Sequence, residues 1–167
     1  MYRKLDDFFS AYGDDSAMTK KYLAALTDES LSQSVADGHR TLGRVAWHLS
    51  QTIPEMMGKT GLIAQGPGES DPVPATAAEI AAAYTLAADS LLAQVKEHWT
   101  DESLLEEDEM YGSKWSRGFT LHCLGDHETH HRGQMSILMR QAGLVVPGVM
   151  GPAKEEWEKM GMQAPEI

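Results

Sequence analysis

The sequence predicts an all-α protein, a four-helix bundle followed by a short extra C-terminal helix. Four long segments carry apolar residues at the three- and four-residue spacings of amphipathic helices. No segment shows the convincing alternation of a half-buried strand. Glycine and proline gather between the segments, where turns are expected. We expect residues 1–167 to form one domain, since a chain of this length can bury one substantial core.

The first two predicted helices occupy residues 3–26 and 41–57. In the first, the inward positions are apolar except near the middle, where Ser16 and Thr19 interrupt the stripe. These two side chains are predicted either to line a pocket or to bond to the backbone of their own helix. The loop at residues 66–74, which is rich in glycine and proline, ends the second helical region.

The third predicted helix opens with Thr76 and Glu79, whose spacing is that of a capping box, and it ends near Trp99. A short sequence follows both odd-numbered helices: Thr27–Leu31 recurs as Thr100–Leu104. Two interpretations are open. The recurrence reflects an old duplication of a helix pair, or it reflects how common Thr, Asp and Ser are at helix ends.

The fourth helix is predicted to start after Ser116 as its N-cap and to end before Gly143. The acidic stretch that precedes it, residues 106–110, is predicted to be irregular. In the C-terminal tail, Pro152 suits the first position of a short helix and Gly161 suits its end.

The composition argues against two classes of partner. Acidic residues outnumber basic ones 25 to 14, which gives a net charge of −11. Nucleic-acid phosphates and anionic membrane surfaces both attract basic proteins, so neither is an expected partner. The sequence has one cysteine, Cys123, no signal-peptide core and no apolar stretch long enough to span a bilayer. We therefore expect a cytoplasmic protein with a small-molecule substrate, and a second copy of the chain as its candidate protein partner.

Two of the seven histidines stand out because they lie four residues apart on the inward face of the fourth helix. His127 and His131 fall within its apolar stripe, so one metal ion can reach both imidazoles. A third ligand must come from another helix, and His48, beside the apolar seam of the second helix, is the best candidate. His39 and His98 are expected at the surface.

The segment His127–Gln134, HETHHRGQ, resembles the signature of the DinB-like family of bacterial four-helix-bundle proteins. The Trp47–Leu49 segment, WHL, and the tail segment PGVMGPAKEEW agree with that resemblance. It implies an up-down bundle with an altered connection and a metal held by His48, His127 and His131. His130 fills a further histidine position of the family and is not a ligand.

Three functions remain open at this point. An open three-histidine site suits chemistry, and related proteins resemble thiol S-transferases, so the first hypothesis is a metal-dependent thiol S-transferase acting on a small electrophile. The second is a metal-dependent hydrolase of a small amide or ester, for which Asp126 and Glu128 are the nearby carboxylates. The third is a non-enzymatic, metal-stabilised stress or binding protein. The expected cofactors are one divalent transition metal ion, with zinc and nickel as leading candidates, and a low-molecular-weight thiol. No catalytic residue is assigned.

Overall fold

The computed structural model describes residues 1–166, which form four long α-helices, one β-hairpin and several short 3₁₀ turns. The helices are α1 (Leu5–Ala24), α2 (Leu42–Lys59), α3 (Ala77–His98) and α4 (Arg117–Gln141). α1 and α2 each pack against both α3 and α4. Side chains from all four helices fill the space between them, among them Phe8, Leu49, Ile53, Ile80, Leu91, Leu121 and Met135. The predicted mostly helical fold is therefore confirmed.

The ends of the helices follow the local chemistry of the sequence. Thr76 and Glu79 form the predicted capping box of α3, with each side chain bonded to the backbone N–H of the other residue. Ser116 accepts a hydrogen bond from the backbone N–H of Phe119 at the start of α4. Past the end of α4, Gly143 has a φ of 78°, the left-handed conformation expected after a helix.

The prediction of an irregular stretch and of no strands was wrong, because a two-stranded hairpin precedes α4. Strand β1 (Glu107–Met110) pairs antiparallel with β2 (Ser113–Ser116). The two turn residues, Tyr111 and Gly112, both have positive φ, at 52° and 83°, as a tight hairpin requires. Of the eight strand residues only Met110 is buried, so the sequence contains no alternation to detect.

The tail forms two 3₁₀ turns, Lys154–Glu156 and Glu158–Met160, where a short helix with Pro152 at its start was predicted. The carboxylate of Glu156 accepts hydrogen bonds from two backbone N–H groups of the preceding segment, at 2.9 and 3.1 Å. These bonds hold the tail as a series of turns, and so short a helix gains little from its own backbone bonds. Gly161 ends the last turn with a φ of 70°, as predicted.

The recurring sequence adopts the same structure in both halves of the chain. Thr27–Leu31 and Thr100–Leu104 each lead into a 3₁₀ turn, and in each the serine hydroxyl accepts the threonine N–H at 3.1 Å. The aspartate of each segment caps a helix in the other half. Asp28 accepts the first N–H of α3 and Asp101 accepts the first N–H of α1, both at 2.8 Å.

The two halves of the chain also correspond in the helices that follow the recurring segments. Gly43 and Gly118 each occupy the second position of their helix, α2 or α4. A Cβ on either would lie 3.1 or 3.2 Å from the carbonyl oxygen that ends the preceding recurring segment. The bridge between Ser34 and Thr41 before α2 corresponds to the outermost pair of the hairpin before α4. The pairs α1–α2 and α3–α4 are therefore matching structural halves.

Candidate metal centre

Three histidines from two helices meet between α2 and α4. The Nε2 atom of His127 lies 3.2 Å from Nε2 of His48 and 3.0 Å from Nε2 of His131. All three ligand atoms lie within 4.8 Å of one another. We call these three residues the histidine cluster. The structure thus places together the same three histidines that the sequence analysis selected.

The geometry and chemistry of the histidine cluster fit a divalent cation. With metal–nitrogen distances of about 2.0–2.1 Å, tetrahedral ligands lie about 3.4 Å apart, close to the separations found here. Without a cation the nitrogens conflict, because a neutral imidazole has one N–H and Nδ1 of His131 faces the amide oxygen of Gln134, which can only accept a hydrogen bond. The Nε2 atom of His127 then lies against two other nitrogen atoms, and it has at most one proton available for hydrogen bonds to both of them. A cation would instead accept all three lone pairs.

Burial keeps the cluster neutral. Desolvation is the main cause that lowers the pKa of His48 and of His127 to about 4, and the charges of neighbouring histidines add to the effect. Burial also lowers the pKa of His131, although its hydrogen bond to Gln134 opposes the shift. At neutral pH all three imidazoles are therefore uncharged and can donate lone pairs to a metal.

One of the two candidate ligands on α4 is held in place by a neighbouring side chain. Nδ1 of His131 donates to Oε1 of Gln134 at 2.7 Å, and the amide nitrogen of Gln134 lies 3.0 Å from Nε2 of His130. This chain of contacts fixes the tautomer of His131 and leaves its Nε2 free to bind a metal. Nδ1 of His127, by contrast, is buried and has no hydrogen-bond partner within residues 1–166.

Glu128 does not face the histidine cluster, although it lies between the two ligands in sequence. Its carboxylate is fully buried and accepts hydrogen bonds from Tyr12 at 2.8 Å, from Thr19 at 2.9 Å and from Tyr84. Burial raises the pKa of Glu128, while the hydrogen bonds from the two tyrosines and Thr19 oppose that shift. The carboxylate therefore joins α1 and α3 to α4, and it is not available as a base.

Arg132 completes this buried network. Its guanidinium donates to the Thr19 hydroxyl at 2.9 Å and to the Asp15 carboxylate at 2.8 Å. Both polar positions in the stripe of α1 are thereby explained. Thr19 belongs to the network, and Ser16 bonds to the backbone carbonyl of Gly13 at 3.1 Å. Neither residue lines the cavity beside the histidine cluster.

A cavity of about 370 Å³ opens beside the histidine cluster and is bordered by His48 and His127. Its wall includes two carboxylates, Glu55 and Glu69. Glu55 is fixed in place, because it pairs with Nζ of Lys59 at 3.0 Å and accepts the hydroxyl of Tyr111 at 2.6 Å. The cavity is large enough for a small-molecule substrate.

The residues on this wall were not predicted from the sequence. Glu55 follows His48 by two helical turns on α2 and so lies on the same side of that helix. This spacing could have identified Glu55 from the sequence. Tyr111 and Trp115 reach the cavity from the hairpin, with ring centroids 5.6 Å apart. Nothing in the local sequence predicts their position, because it depends on how the hairpin folds over α2 and α4. Cys123 also borders the cavity.

The remaining histidines and the second predicted carboxylate lie outside the cluster. His39 and His98 are exposed, as predicted. Asp126 is exposed and lies 3.5 Å from Nε2 of His122, so it is paired away from the cavity. Within residues 1–166, no helix is both long and apolar enough to cross a membrane.

Comparison with known proteins gives a consistent result along the whole chain. Residues 1–166 match the model described as DinB family. The uncharacterized protein YrdA of Bacillus subtilis strain 168 is 44% identical over 167 residues, which covers 100% of both chains. A crystal structure of a DinB-like protein from Bacillus cereus ATCC 10987 superposes with a TM-score of 0.86 at 42% identity, covering 89% of this chain and 99% of that one. A DinB-like protein of B. subtilis, YjoA, shares the fold, with a TM-score of 0.66 at 17% identity over 86% of this chain and 97% of that one.

Proposed function

Because this chain belongs to the DinB family, we propose that it holds one divalent transition metal ion on His48, His127 and His131 and acts as a metal-dependent thiol S-transferase on a small electrophile. The observation that carries the proposal is the convergence of three neutral Nε2 atoms next to a cavity. Three imidazole ligands suit zinc and nickel, and three protein ligands leave a coordination position for a reactant.

The metal and the protein have separate parts in the proposed reaction. A bound divalent ion would lower the pKa of a thiol that enters the site. The sulfur then forms a bond to the electrophilic carbon, and that carbon releases its leaving group together with the bonding electron pair. The thiol proton passes to the carboxylate of Glu55, which borders the same cavity and is held in place by Lys59 and Tyr111.

Metal binding is tested by elemental mass spectrometry of untagged protein after metal loading and desalting. We expect about one zinc or nickel ion per chain, and less than a tenth of that in His48→Ala and His127→Ala. His98→Ala is the matched control, because His98 is exposed at the end of α3, and it should keep the full metal content. If the wild-type chain holds no metal, the proposed function fails.

Thiol transfer is tested by mixing metal-loaded protein with a fluorogenic haloalkyl bimane and a panel of small thiols that includes cysteine and coenzyme A. The rate should exceed the uncatalysed rate, should require the thiol, and should be lost in His127→Ala. If no thiol in the panel gives a metal-dependent rate above the uncatalysed rate, the transferase assignment is contradicted.

A metal-dependent hydrolase is the second candidate, and the position of Glu55 favours it. A carboxylate beside an open metal site can accept a proton from an attacking water as readily as from a thiol. Hydrolysis of a small amide or ester would proceed without added thiol. Turnover of nitrophenyl esters in the absence of any thiol, lost in both His127→Ala and Glu55→Gln, would replace the transferase assignment. A chain that binds metal and gains stability from it, without either activity, would instead be the metal-stabilised binding protein.

A further inference from the structure

A second cavity lies between the C-terminal half of α4, the start of α2 and the segment that precedes α2. Its volume is about 450 Å³, within the range of sites that bind drug-sized molecules. Gln134 forms part of its wall and also bonds to Nδ1 of His131. One side chain therefore separates this cavity from a candidate metal ligand.

Most of the wall is apolar and open to solvent. Val45 and Leu138 are buried at 3% and 5% exposure, whereas Val35 and Ile137 at the rim are 59% and 58% exposed. Exposed aliphatic side chains grouped around a concave surface are typical of a site that covers the apolar part of a ligand. These four residues would surround such an apolar part.

The charge of this cavity is opposite to that of the protein as a whole. Arg40 and His39 line it, and its wall includes no carboxylate from residues 1–166. The cavity of about 370 Å³ beside His48 and His127, in contrast, carries two carboxylates. In the described part of the chain, two other cavities also lack a wall carboxylate, but the arginines on their walls are each paired with a carboxylate, namely Arg117, Arg132 and Arg140.

The guanidinium of Arg40 is available for a ligand. It makes no hydrogen bond or ion pair with any side chain in residues 1–166, while four of the other five arginines are each bound to a side-chain oxygen, namely Arg44, Arg117, Arg132 and Arg140. Arg40 also borders a smaller cavity of about 180 Å³ whose wall includes His48 and two carboxylates, Glu55 and Glu69. Among the described residues, neither glutamate forms an ion pair with its guanidinium.

We propose that this second cavity binds a small molecule with an apolar body and a carboxylate. The apolar body would pack on Val35, Val45, Ile137 and Leu138, and Arg40 would receive the carboxylate through paired N–H donors. This ligand site is independent of the proposed function, because none of the three clustered histidines lines the cavity.

The probe is 4-phenylbutyrate, compared with its uncharged amide, in isothermal titration calorimetry on the full-length protein with and without metal. The wild-type protein should bind the acid about tenfold more tightly than the amide. Arg40→Gln should remove that preference. Arg3→Gln is the matched control, because Arg3 is exposed just before α1 and has no side-chain partner within residues 1–166, and it should leave the preference unchanged.

A change in the apolar wall tests the other half of the assignment. Ile137→Ser should weaken the binding of the acid and of the amide by a similar factor, since both compounds have the same apolar body. Equal affinity for acid and amide in the wild type, or an equal effect of Arg3→Gln and Arg40→Gln, would overturn the assignment. Sedimentation velocity tests the alternative occupant. A dimer that the probe dissociates and that Ile137→Ser abolishes would show that a second copy covers this surface.

The binding experiment separates this inference from the proposed function, because it requires neither turnover nor metal. If the protein binds phenylbutyrate through Arg40 but lacks thiol-dependent activity, the binding site is supported and the transferase assignment is contradicted. If it transfers thiols but shows no preference for the acid, the transferase assignment is supported and the binding site is contradicted.

Discussion

Replacing Tyr84 with phenylalanine removes one hydroxyl from the centre of the protein and leaves the aromatic ring in place. That hydroxyl donates to Glu128, and both side chains are 0% exposed, so no solvent can replace the lost bond. Removing one partner of a buried hydrogen bond costs about 1–3 kcal/mol, because the remaining polar group stays buried. We therefore expect Tyr84→Phe to lower the free energy of unfolding by about 2 kcal/mol, a large part of the 5–15 kcal/mol of a typical domain.

Tyr111→Phe is the matched control. Its hydroxyl also donates to a glutamate, Glu55, at 2.6 Å, but Tyr111 is 58% exposed and water can take the place of the bond. We expect a loss of less than about 1 kcal/mol. Both variants would be unfolded in urea at neutral pH with a chelator present, and followed by circular dichroism. Losses within about 0.5 kcal/mol of each other would refute the reasoning that burial sets the strength of these bonds.

Three further predictions concern the site and the backbone. Glu55→Gln should keep its metal content while the thiol-transfer rate falls about 100-fold, as measured by elemental analysis and the bimane assay. The pKa values near 4 in the histidine cluster lie below the ordinary value of 6.5, so the unfolded chain binds more protons. The melting temperature of metal-free protein should therefore be highest above about pH 6.5 and should fall as the pH approaches 4, with a smaller fall in His127→Ala. Gly118→Ala should destabilise the fold, because its Cβ would lie 2.2 Å from the carbonyl oxygen of Tyr2. Gly133→Ala has open space around it and should stabilise α4 by up to about 1 kcal/mol. The two alanine variants should therefore differ in melting temperature, and equal values would contradict this pair of expectations.

The parts of the structure that the sequence predicts are those set by short-range spacing. Thr76 and Glu79 cap α3 through bonds over three residues, and the i, i+4 spacing places His127 and His131 on one face of α4. The side of α2 that faces α4 follows from its apolar stripe, which is why His48 could be selected from the remaining histidines.

The parts that were missed depend on contacts between distant segments. Glu128 looked like a nearby carboxylate for catalysis, yet it is buried because hydroxyls from α1 and α3 converge on it. No local pattern reveals such a network. The hairpin was missed because its strands are short and mostly exposed, and its tyrosine therefore could not be placed at the cavity. Glu55 is the exception, because its spacing of two helical turns from His48 could have placed it on the same side of α2.

The matching halves of the chain have a consequence for how the candidate metal site can change. His48 lies five residues after Gly43, and Cys123 lies five residues after Gly118, so these two side chains hold equivalent places on α2 and α4. By the same spacing, Thr52 is the counterpart of His127, and all four border the same cavity. The backbone of the two halves is thus nearly symmetric. The three histidine nitrogens are not divided equally between them, because one is on α2 and two are on α4. Single substitutions at equivalent positions can therefore add or remove a donor without moving a helix, which makes the number of ligands an evolvable property of an unchanged backbone.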